Sequence, residues 1–468
     1  MNVPSSRRPA LVLAICCASI VVVVMDISIV TVALPSVRRD LGASVSGLQW
    51  TVDAYTLVLA GFLVLAGSTA DRFGRKRVFL TGLTVFGLGS LLCSVAPGIG
   101  WLIAARALQA VGGTMLNPVA LAIVVTVYPL PAERARAIGV FGSMSGLALA
   151  LGPILGGALV DALGWRAVFW VNVPIVVVAI AATLKFVPES RAARGRRFDP
   201  VGQVLVVLAL GSVVAAIIEA RALGWTSPVI LGLLALAALA VAALLRYEPR
   251  RADPLLELRL FRSVAFSGAI VTALLALCGF GVFLFVTTQY LQDTRGLTAL
   301  TAGLCLLPVG VLVVVLSPRT GRLVGTRGPR LPLVVAGIAL ALGGVTSAWL
   351  GPATPLPLVL TVYLLFGVFL GTVNPPITNT AVSGMPGSMA GVAGSLASAG
   401  RQTGTTLGVA LAGTLGTGPG VWWLVAALGA GVFALALVST GERAAATGRR
   451  AAALFAEVEG VSLRRPTG

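Results

Sequence analysis

The sequence predicts an all-α membrane protein with about fourteen transmembrane helices. Of its 468 residues, 57% are hydrophobic and only 11% are charged, which is too little charge to cover a water-soluble protein of this length. The apolar residues form runs of roughly 20, the length a helix needs to cross a hydrocarbon core about 30 Å thick. These runs lack the alternation of apolar and polar residues that is typical of membrane β-barrels.

Fourteen segments meet this description, and their predicted ends are accurate to about three residues. They are residues 11–34, 47–70, 78–96, 101–128, 137–160, 168–187, 201–220, 228–246, 264–290, 299–318, 331–350, 356–382, 392–416 and 420–439. Arg7 and Arg8 before the first segment resemble the start of a signal peptide. No convincing cleavage site follows them, so we expect the first helix to be retained.

The basic residues fall mainly on one side of this predicted topology. With the N-terminus in the cytoplasm, 27 of the 34 basic residues lie in cytoplasmic segments. The outer loops hold only Arg38, Arg39, Arg166, Arg221 and Arg295, and the spans hold Arg106 and Arg401. The positive-inside rule then places both termini in the cytoplasm. The net charge of +18 therefore indicates topology, and no nucleic-acid partner is expected.

The residue composition also limits the kinds of functional site that the protein can carry. The five cysteines form no CxxC pair, so we expect neither a metal site nor a disulfide framework. The chain has no histidine, so proton chemistry would rely on carboxylates, tyrosines or water. An ATP-driven pump needs a Gly-x-x-x-x-Gly-Lys-Ser/Thr loop, which neither Lys76 nor Lys185 fits. No cofactor and no catalytic residue of an enzyme is expected.

Two loops share a faint pattern that suggests an internal repeat. Residues 67–76 and 321–330 both place glycines seven residues apart, followed by a basic residue. The repeat predicts a six-helix bundle over 1–200, two inserted helices with a linker over 201–262, a second six-helix bundle over 263–440 and a cytoplasmic tail over 441–468. Duplicated helix bundles around a midplane site are usual in secondary transporters.

Motifs of defined pattern lie along nearly the whole chain. Residues 25–35 read Met-Asp-Ile-Ser-Ile-Val-Thr-Val-Ala-Leu-Pro, residues 67–76 read Gly-Ser-Thr-Ala-Asp-Arg-Phe-Gly-Arg-Lys, and residues 152–157 read Gly-Pro-Ile-Leu-Gly-Gly. Further motifs occupy residues 102–109, 165–174 and 289–292. In this order they resemble the major facilitator superfamily, specifically its branch of 14-span drug:proton antiporters.

The resemblance implies a major facilitator fold with two six-helix bundles and two extra central helices. It implies a monomer in the bacterial inner membrane that exports small lipophilic drugs or antibiotics by alternating access, in exchange for protons and in contact with membrane lipids. A solute importer or uniporter of the same superfamily is the alternative.

Three ionisable residues form the predicted proton-coupling site: Asp26 in span 1, Asp53 in span 2 and Arg106 in span 4. All three lie roughly 8–12 Å below the outer surface at 1.5 Å per residue, so we expect them to cluster. A charge deep in a bilayer costs roughly 2.5–3.5 kcal/mol, so it normally faces a partner or a polar cavity. Asp26 is therefore either a proton site or half of a structural ion pair.

Two glycine-containing motifs are predicted to act in conformational change. The first, a gate at the inner end of span 2, comprises Gly67, Asp71, Arg72, Gly74 and Arg75, and its Asp71 either caps a helix or pairs with an arginine across the bundle. The second, in span 5, comprises Gly152, Pro153, Gly156 and Gly157. Small residues permit tight packing and proline permits a kink, so this segment is either a packing surface or, as the resemblance implies, a hinge.

Five polar residues within spans are candidates to line the substrate cavity: Gln109, Asn117, Gln289, Asn374 and Arg401. Arg401 has the alternative of pairing with a carbonyl group or a lipid phosphate. No carboxylate occurs within spans 9 to 14. We therefore expect a monovalent, zwitterionic or neutral lipophilic substrate.

Overall fold

A computed structural model describes residues 8–191, 199–251, 254–383 and 390–441, together with residues 444, 446–448 and 450. Arg7 and most of the predicted tail over 441–468 lie outside these residues. Throughout the described part of the chain, every regular element is helical, because an apolar chain in lipid can satisfy its backbone hydrogen bonds within a single helix.

The helices coincide with all fourteen predicted segments. They are α1 (Pro9–Leu41), α2 (Val45–Phe73), α3 (Arg75–Ser94), α4 (Ile99–Val127), α5 (Pro131–Leu163), α6 (Ala167–Trp170), α7 (Asn172–Phe186), α8 (Pro200–Leu223), α9 (Pro228–Tyr247), α10 (Val264–Gln289), α11 (Ala299–Cys305), α12 (Leu307–Arg327), α13 (Arg330–Ser347), α14 (Leu356–Val382), α15 (Ala390–Leu415) and α16 (Pro419–Ser439). Two predicted segments are each divided between two consecutive helices, α6 with α7 and α11 with α12. A π-helical turn, Tyr290–Thr294, extends α10.

The number of membrane spans is not confirmed as fourteen. Among the described residues, twelve helices are long and apolar enough to cross a membrane, or up to thirteen if the bent helix α2 counts as one span. The bend in α2 is 55° and lies between Leu63 and Leu65. Helix α15 has 26 residues but is not among these twelve; it is rich in Gly and Thr and carries Arg401 and Gln402.

The helix ends follow local sequence signals. The hydroxyl of Ser44 accepts a hydrogen bond from the Gly47 amide (3.1 Å) and caps α2. Gly42 ends α1 with φ +59°, a left-handed conformation that glycine adopts without steric cost. Gly74, with φ +107°, forms the tight connection between α2 and α3. Sharp turns of this kind keep consecutive helices antiparallel.

These connections define two ends of the molecule. The end at the α2–α3 connection, residues 73–75, is here called the basic end because most of the arginines of the short connections lie there. The end at the α1–α2 connection, residues 41–45, is called the opposite end. Helices α8 and α9 form a hairpin in which α8 packs on both α2 and α15.

Helices from the two predicted halves contact each other closely toward the opposite end. The Gln49 side-chain amide of α2 donates to the carbonyls of Val409 (3.3 Å) and Ala410 (2.6 Å) in α15. On the other flank, the Asp161 carboxylate of α5 accepts hydrogen bonds from the amides of Ala299 (3.2 Å) and Leu300 (2.9 Å) at the start of α11. These contacts close the opposite end.

Some positions of α5 and α14 between their middle and the basic end lie at the surface. A Cβ added at Gly139 or Gly142 would meet no atom within 4 Å, and the Ser143 side chain is exposed. In α14, the side chains of Thr378 and Asn379 are likewise exposed. The contacts between the halves described above lie toward the opposite end.

Candidate functional site

A buried ion pair joins α1 to α4. The Arg106 guanidinium donates to the Asp26 carboxylate, and the exposed fractions of the two side chains are 1% and 0%. Asp26 lies in the middle of an apolar helix, and Arg106 reaches it because α1 and α4 pack side by side. The sequence placed these two residues at similar depth without deciding whether they pair, and in the structure they do.

Three polar side chains complete the hydrogen bonding of the Asp26 carboxylate and its surroundings. The Gln109 amide donates to Asp26 (2.8 Å) and to the Ser90 hydroxyl (2.8 Å), while its own oxygen accepts from Arg106 (2.7 Å). The Asn172 amide also donates to Asp26 (3.2 Å). Gln109 and Arg106 lie three residues apart on one face of α4, so a single helix supplies two members of the cluster.

The rest of the Arg106 guanidinium is held by α2 and by aromatic rings. Its Nε donates to the carbonyl of Thr51 (3.1 Å). The guanidinium carbon lies 4.1 Å from the centre of the Tyr55 ring and 5.8 Å from that of Phe169, distances at which a cation is attracted to the ring face. Arg106 thus links α1, α2 and α4.

This arrangement has a clear electrostatic consequence. The two opposite charges neutralise each other away from water, and neighbouring protein groups supply their hydrogen-bond partners. Removing one member of such a pair leaves an unpaired buried charge, which is far more costly than removing both. Any event that protonates Asp26 would therefore also release Arg106 from its main partner.

Asp53 does not join this cluster, so the predicted three-member cluster is wrong in this respect. The residue is completely buried. The Thr56 hydroxyl, one turn along α2, is the polar group beside its carboxylate, but no well-formed hydrogen bond reaches either oxygen among the described residues. Residues 51 and 55, which face Arg106, lie about 200° around the α2 helix from residue 53. Equal depth in the membrane places Asp53 near Asp26, but helix rotation turns its side chain away, toward α15.

The predicted gate lies at the basic end and is held within the first half of the chain. Asp71 pairs with Arg75 one turn away (3.0 Å), and Arg75 also donates to the Thr126 hydroxyl of α4 (2.5 Å). A Cβ at Gly74 would lie 2.7 Å from the Glu189 carboxylate, which accepts from the Lys76 amide (3.1 Å). Asp71 does not cap α3, whose N-terminus has no side-chain cap.

The other two gate residues make fewer contacts. The Arg72 side chain is exposed, with its guanidinium carbon 5.5 Å from the centre of the Phe73 ring. A Cβ at Gly67 would meet no atom within 4 Å. Among the described residues, the ion pairs of this loop stay within the first half, so no latch across the bundle is formed in this conformation.

The glycine-rich segment of α5 forms the closest approach between helices at the closed end. An added Cβ at Gly152 would lie 2.0 Å from the Ser28 hydroxyl of α1, and one at Gly156 would lie 3.0 Å from the Ile29 carbonyl. At Gly157 the added atom would lie 2.3 Å from the Ala299 carbonyl of α11. The Pro153 carbonyl in turn lies 2.2 Å from where a Cβ of Gly303 would be.

The predicted cavity residues occupy different environments. Gln109, predicted to line the cavity, is instead fully buried in the Asp26 cluster. Gln289 is also buried and donates to a carbonyl of its own helix, that of Phe285 (3.2 Å). Asn117 and Asn374 are half-buried, and the oxygen of Asn117 has no hydrogen-bond partner within the described chain.

Arg401 lies near the middle of α15, half-buried. Its guanidinium donates to the hydroxyls of Ser398 (2.6 Å) and Thr378 (3.3 Å). Across the described parts of the chain, no carboxylate lies within ion-pair distance of Arg401. Arg106 and Arg401, the two arginines predicted within spans, therefore differ: the first is neutralised, and the second has no acidic partner among the described residues.

Several residues of these sites had no distinct sequence signal. Ser90 and Asn172 are ordinary polar residues in apolar helices, and only the packing of α3 and α7 on α1 brings them to Asp26. Asn172 did fall within one of the motifs, at residues 165–174. Asp161 and Glu219 are acids near helix ends, where charged residues are common. Their contacts depend on which helices become neighbours.

Comparisons with known proteins agree with this architecture. Residues 16–409 match the model of the Major Facilitator Superfamily. A solved structure of the peptide transporter POT in complex with sulfate superimposes with a TM-score of 0.67 over 95% of each chain, at 15% sequence identity, which shows the shared fold. The family match does not distinguish the 14-span branch from others.

Relatives with known names are similar over most of their length. The multidrug resistance protein Stp of Mycobacterium tuberculosis is 38% identical over 391 residues, covering 84% of this chain and 73% of that protein. The puromycin resistance protein of Streptomyces alboniger is 38% identical, covering 87% and 81%. The tetracenomycin C resistance and export protein of Streptomyces glaucescens is 35% identical, covering 87% and 76%. With its helical fold, its closely packed halves and these matches, the chain belongs to the Major Facilitator Superfamily of transporters.

Proposed function

We propose that this protein exports lipophilic drugs or antibiotics across the bacterial cytoplasmic membrane in exchange for protons. The observation that carries the proposal is the buried Asp26–Arg106 pair with its complete set of hydrogen-bond partners. Ionisable groups inside the membrane are costly and mark ion or substrate pathways. The relatives named for drug resistance and export support the direction of transport.

We propose fourteen spans with both termini in the cytoplasm and a monomeric protein. Helices at all fourteen predicted positions support this count, and so does the concentration of arginines at the basic end. The predicted bundles over 1–200 and 263–440 would then be joined by the α8–α9 hairpin of segment 201–262. The basic end is thereby the cytoplasmic end, and the conformation described here faces inward.

The inward-facing opening is proposed to load the substrate from the cytoplasm or the inner leaflet. Arg401, Asn374 and Asn117 are the polar residues best placed to contact it, because they are half-buried in membrane helices. Since no acidic side chain of the described residues pairs with Arg401, a cationic substrate would meet an uncompensated positive charge there. Neutral and zwitterionic substrates are favoured.

Alternating access is proposed to exchange the closed and open ends. Separation of α5 from α11 would open the outer side, with Gly152, Pro153, Gly156 and Gly157 as the surface along which the helices part. Closure of the cytoplasmic end would bring the gate of Gly67, Asp71, Arg72, Gly74 and Arg75 against the second half. The loop already holds Asp71 and Arg75 as a pair.

Transport in proteoliposomes with an imposed pH gradient tests this function. A fluorescent lipophilic substrate should be moved against its gradient by the wild type and not by Asp26→Asn. Transport that ignores both the pH gradient and the substitution would exclude proton coupling through Asp26.

Expression in an efflux-deficient bacterial host separates export from the alternative of solute import. An exporter should raise drug tolerance, and an importer or uniporter should not.

A further inference from the structure

Arg401 carries a charge that no acidic side chain of the described residues neutralises. It lies about 16 Å from the start of α15 at Ala390, at 1.5 Å per residue. A charge at such a depth normally faces a partner or a polar cavity. The direction in which α15 points the side chain therefore decides what Arg401 can bind.

Arg401 points away from the inserted hairpin of α8 and α9. Arg401 and Ala410 are separated by about two and a half helical turns, so they lie on opposite sides of α15. Ala410 packs with Val214 and Ile217 of α8. The hairpin lies at the periphery, since α9 packs chiefly on α8 and most of its side chains are exposed. The side of α15 that carries Arg401 therefore faces the interior of the molecule.

Contacts with α10 and α2 lie on either side of Arg401. A Cβ added at Gly404 would lie 2.4 Å from the Leu274 carbonyl of α10, and the Thr406 hydroxyl lies 2.8 Å from that of Thr56 in α2. At about 100° per residue, Arg401 lies about 60° from Gly404 and about 140° from Thr406 around the helix axis. Arg401 thus faces the space between these two contacts, where the helix that it reaches is α14.

The hydrogen-bond partners of Arg401 are neutral. Its guanidinium donates to the hydroxyls of Ser398 (2.6 Å) and of Thr378 in α14 (3.3 Å). Ser398 and Arg401 are half-buried and Thr378 is exposed. A guanidinium has five N–H groups, so these two bonds leave donors for a further oxygen acceptor. The position combines a positive charge, free donors and access from the interior.

We propose that Arg401 binds an anionic oxygen of the transported drug, so that the preferred substrates are lipophilic weak acids and zwitterions that carry a carboxylate or phenolate group. Hydrogen bonds from a guanidinium to an ionised oxygen are roughly twice as strong as those to neutral groups. The attraction between the charges is also stronger away from bulk water. The proposal rests on the proposed function, because the bound acid is the exported drug.

The phosphate of a membrane lipid offers the same chemistry as an acidic drug. Lipid phosphates lie at the membrane surface, whereas Arg401 lies near the middle of its helix and faces the interior. This position favours a ligand that enters the protein. The lipid headgroup is kept as a separate arm of the test below.

A reporter cysteine at Asn374 tests whether the space beside Arg401 is accessible and positive. Asn374 is half-buried in α14, and its carbonyl accepts from the Thr378 hydroxyl (3.2 Å). The five native cysteines, all buried, are replaced first. The protein with Asn374→Cys is placed in phosphatidylcholine nanodiscs and modified with sulfonatoethyl or trimethylammonioethyl methanethiosulfonate, thiol reagents of similar size and opposite charge.

The measured quantity is the rate constant for the anionic reagent divided by that for the cationic reagent. Arg401→Gln should lower this ratio at least about fivefold, because the lost charge attracts one reagent and repels the other. Arg401→Lys should retain the ratio. Arg322→Gln is the matched control, since it removes an equal charge from an exposed position of α12. Equal ratios in all variants, or a cysteine that neither reagent modifies, would overturn the proposal.

Protection of the same cysteine tests the class of ligand. At about pH 7, where a carboxylic acid is ionised, naphthoate and the neutral naphthamide compete with methyl methanethiosulfonate, which is uncharged. With Arg401 present, the half-protecting concentration of naphthoate should be at least about tenfold lower than that of naphthamide. The two should become about equal in Arg401→Gln. Equal protection with Arg401 present, or protection by added phosphatidylglycerol alone, contradicts a drug site.

Failure of the proposed function has a different signature. These binding measurements need no pH gradient, so naphthoate can protect the cysteine even in a protein that exports no drug. Conversely, a protein that exports drugs in exchange for protons but binds naphthoate and naphthamide equally would keep the proposed function and lose this inference.

Discussion

At the scale of single residues, Asp26 and Arg106 show that two opposite charges can be buried when they pair with each other. Both are almost inaccessible to solvent, and the guanidinium is further held by Thr51 and Tyr55. Arg401 carries the same group in a membrane helix but donates to the hydroxyls of Ser398 and Thr378, with no acidic partner within the described part of the chain. The two arginines can therefore be compared directly as the paired and the unpaired case.

We expect Asp26→Asn and Arg106→Gln each to destabilise the protein by about 3–5 kcal/mol, because each leaves a buried charge unpaired. The double variant should lose less than the sum, with a coupling of more than about 1 kcal/mol. Denaturant unfolding in detergent measures these differences. Arg401→Gln is the matched control and should cost much less, since it strands no carboxylate. Additive effects of the two substitutions would contradict the contact.

At the scale of helices, small residues decide which end of the molecule can close. Gly157, Gly303 and Gly310 lie where helices of the two halves nearly touch, and a Cβ at any of them would lie within 2.3 Å of an atom of the facing helix. Backbone cannot move aside as a flexible side chain can. Gly142, on the same helix as Gly157, faces open space.

We expect Gly157→Val to disfavour the closed outer end, because its side chain would overlap the Ala299 carbonyl. In a background whose five native cysteines are replaced, cross-linking between Thr56→Cys in α2 and Thr406→Cys in α15, whose hydroxyls are 2.8 Å apart, should slow at least about tenfold. Such a decrease requires the closed state to lose more than about 1.4 kcal/mol relative to the open state. Gly142→Val is the control on the same helix and should cross-link like the parent. Equal rates in the two variants would show that the glycine packing does not govern closure.

At the scale of the whole molecule, the proposed topology places the basic end and the opposite end at different faces of the membrane. Thr326 near the end of α12 and Thr298 before α11 both have exposed side chains, at the basic end and the opposite end respectively. They can therefore report sidedness without disturbing buried groups.

We expect a single cysteine at Thr326 to react with an impermeant maleimide in inside-out vesicles, and one at Thr298 to react in intact cells. The background again lacks the five native cysteines. Both reactions follow from the concentration of arginines at the basic end. The reverse pattern would show that the termini lie outside.

The sequence alone determined the elements and their order. Apolar runs of about 20 residues have one stable form in lipid, a helix, so every predicted segment coincides with a helix. It also supplied Asp26 and Arg106, because two charges at similar depth in apolar helices need a partner. The sequence did not determine how each helix is rotated about its axis, and this rotation decides which side chains become neighbours.

The tertiary structure decided that rotation. It turned Asp53 away from Arg106 and toward α15, moved Gln109 into the buried cluster, and brought Ser90 and Asn172 from separate helices to Asp26. Depth along a helix follows from counting residues at 1.5 Å each. Direction around the helix depends on the packing of neighbouring helices, which in lipid is set by close contact of small residues and by interhelical hydrogen bonds, and these form only in the folded protein.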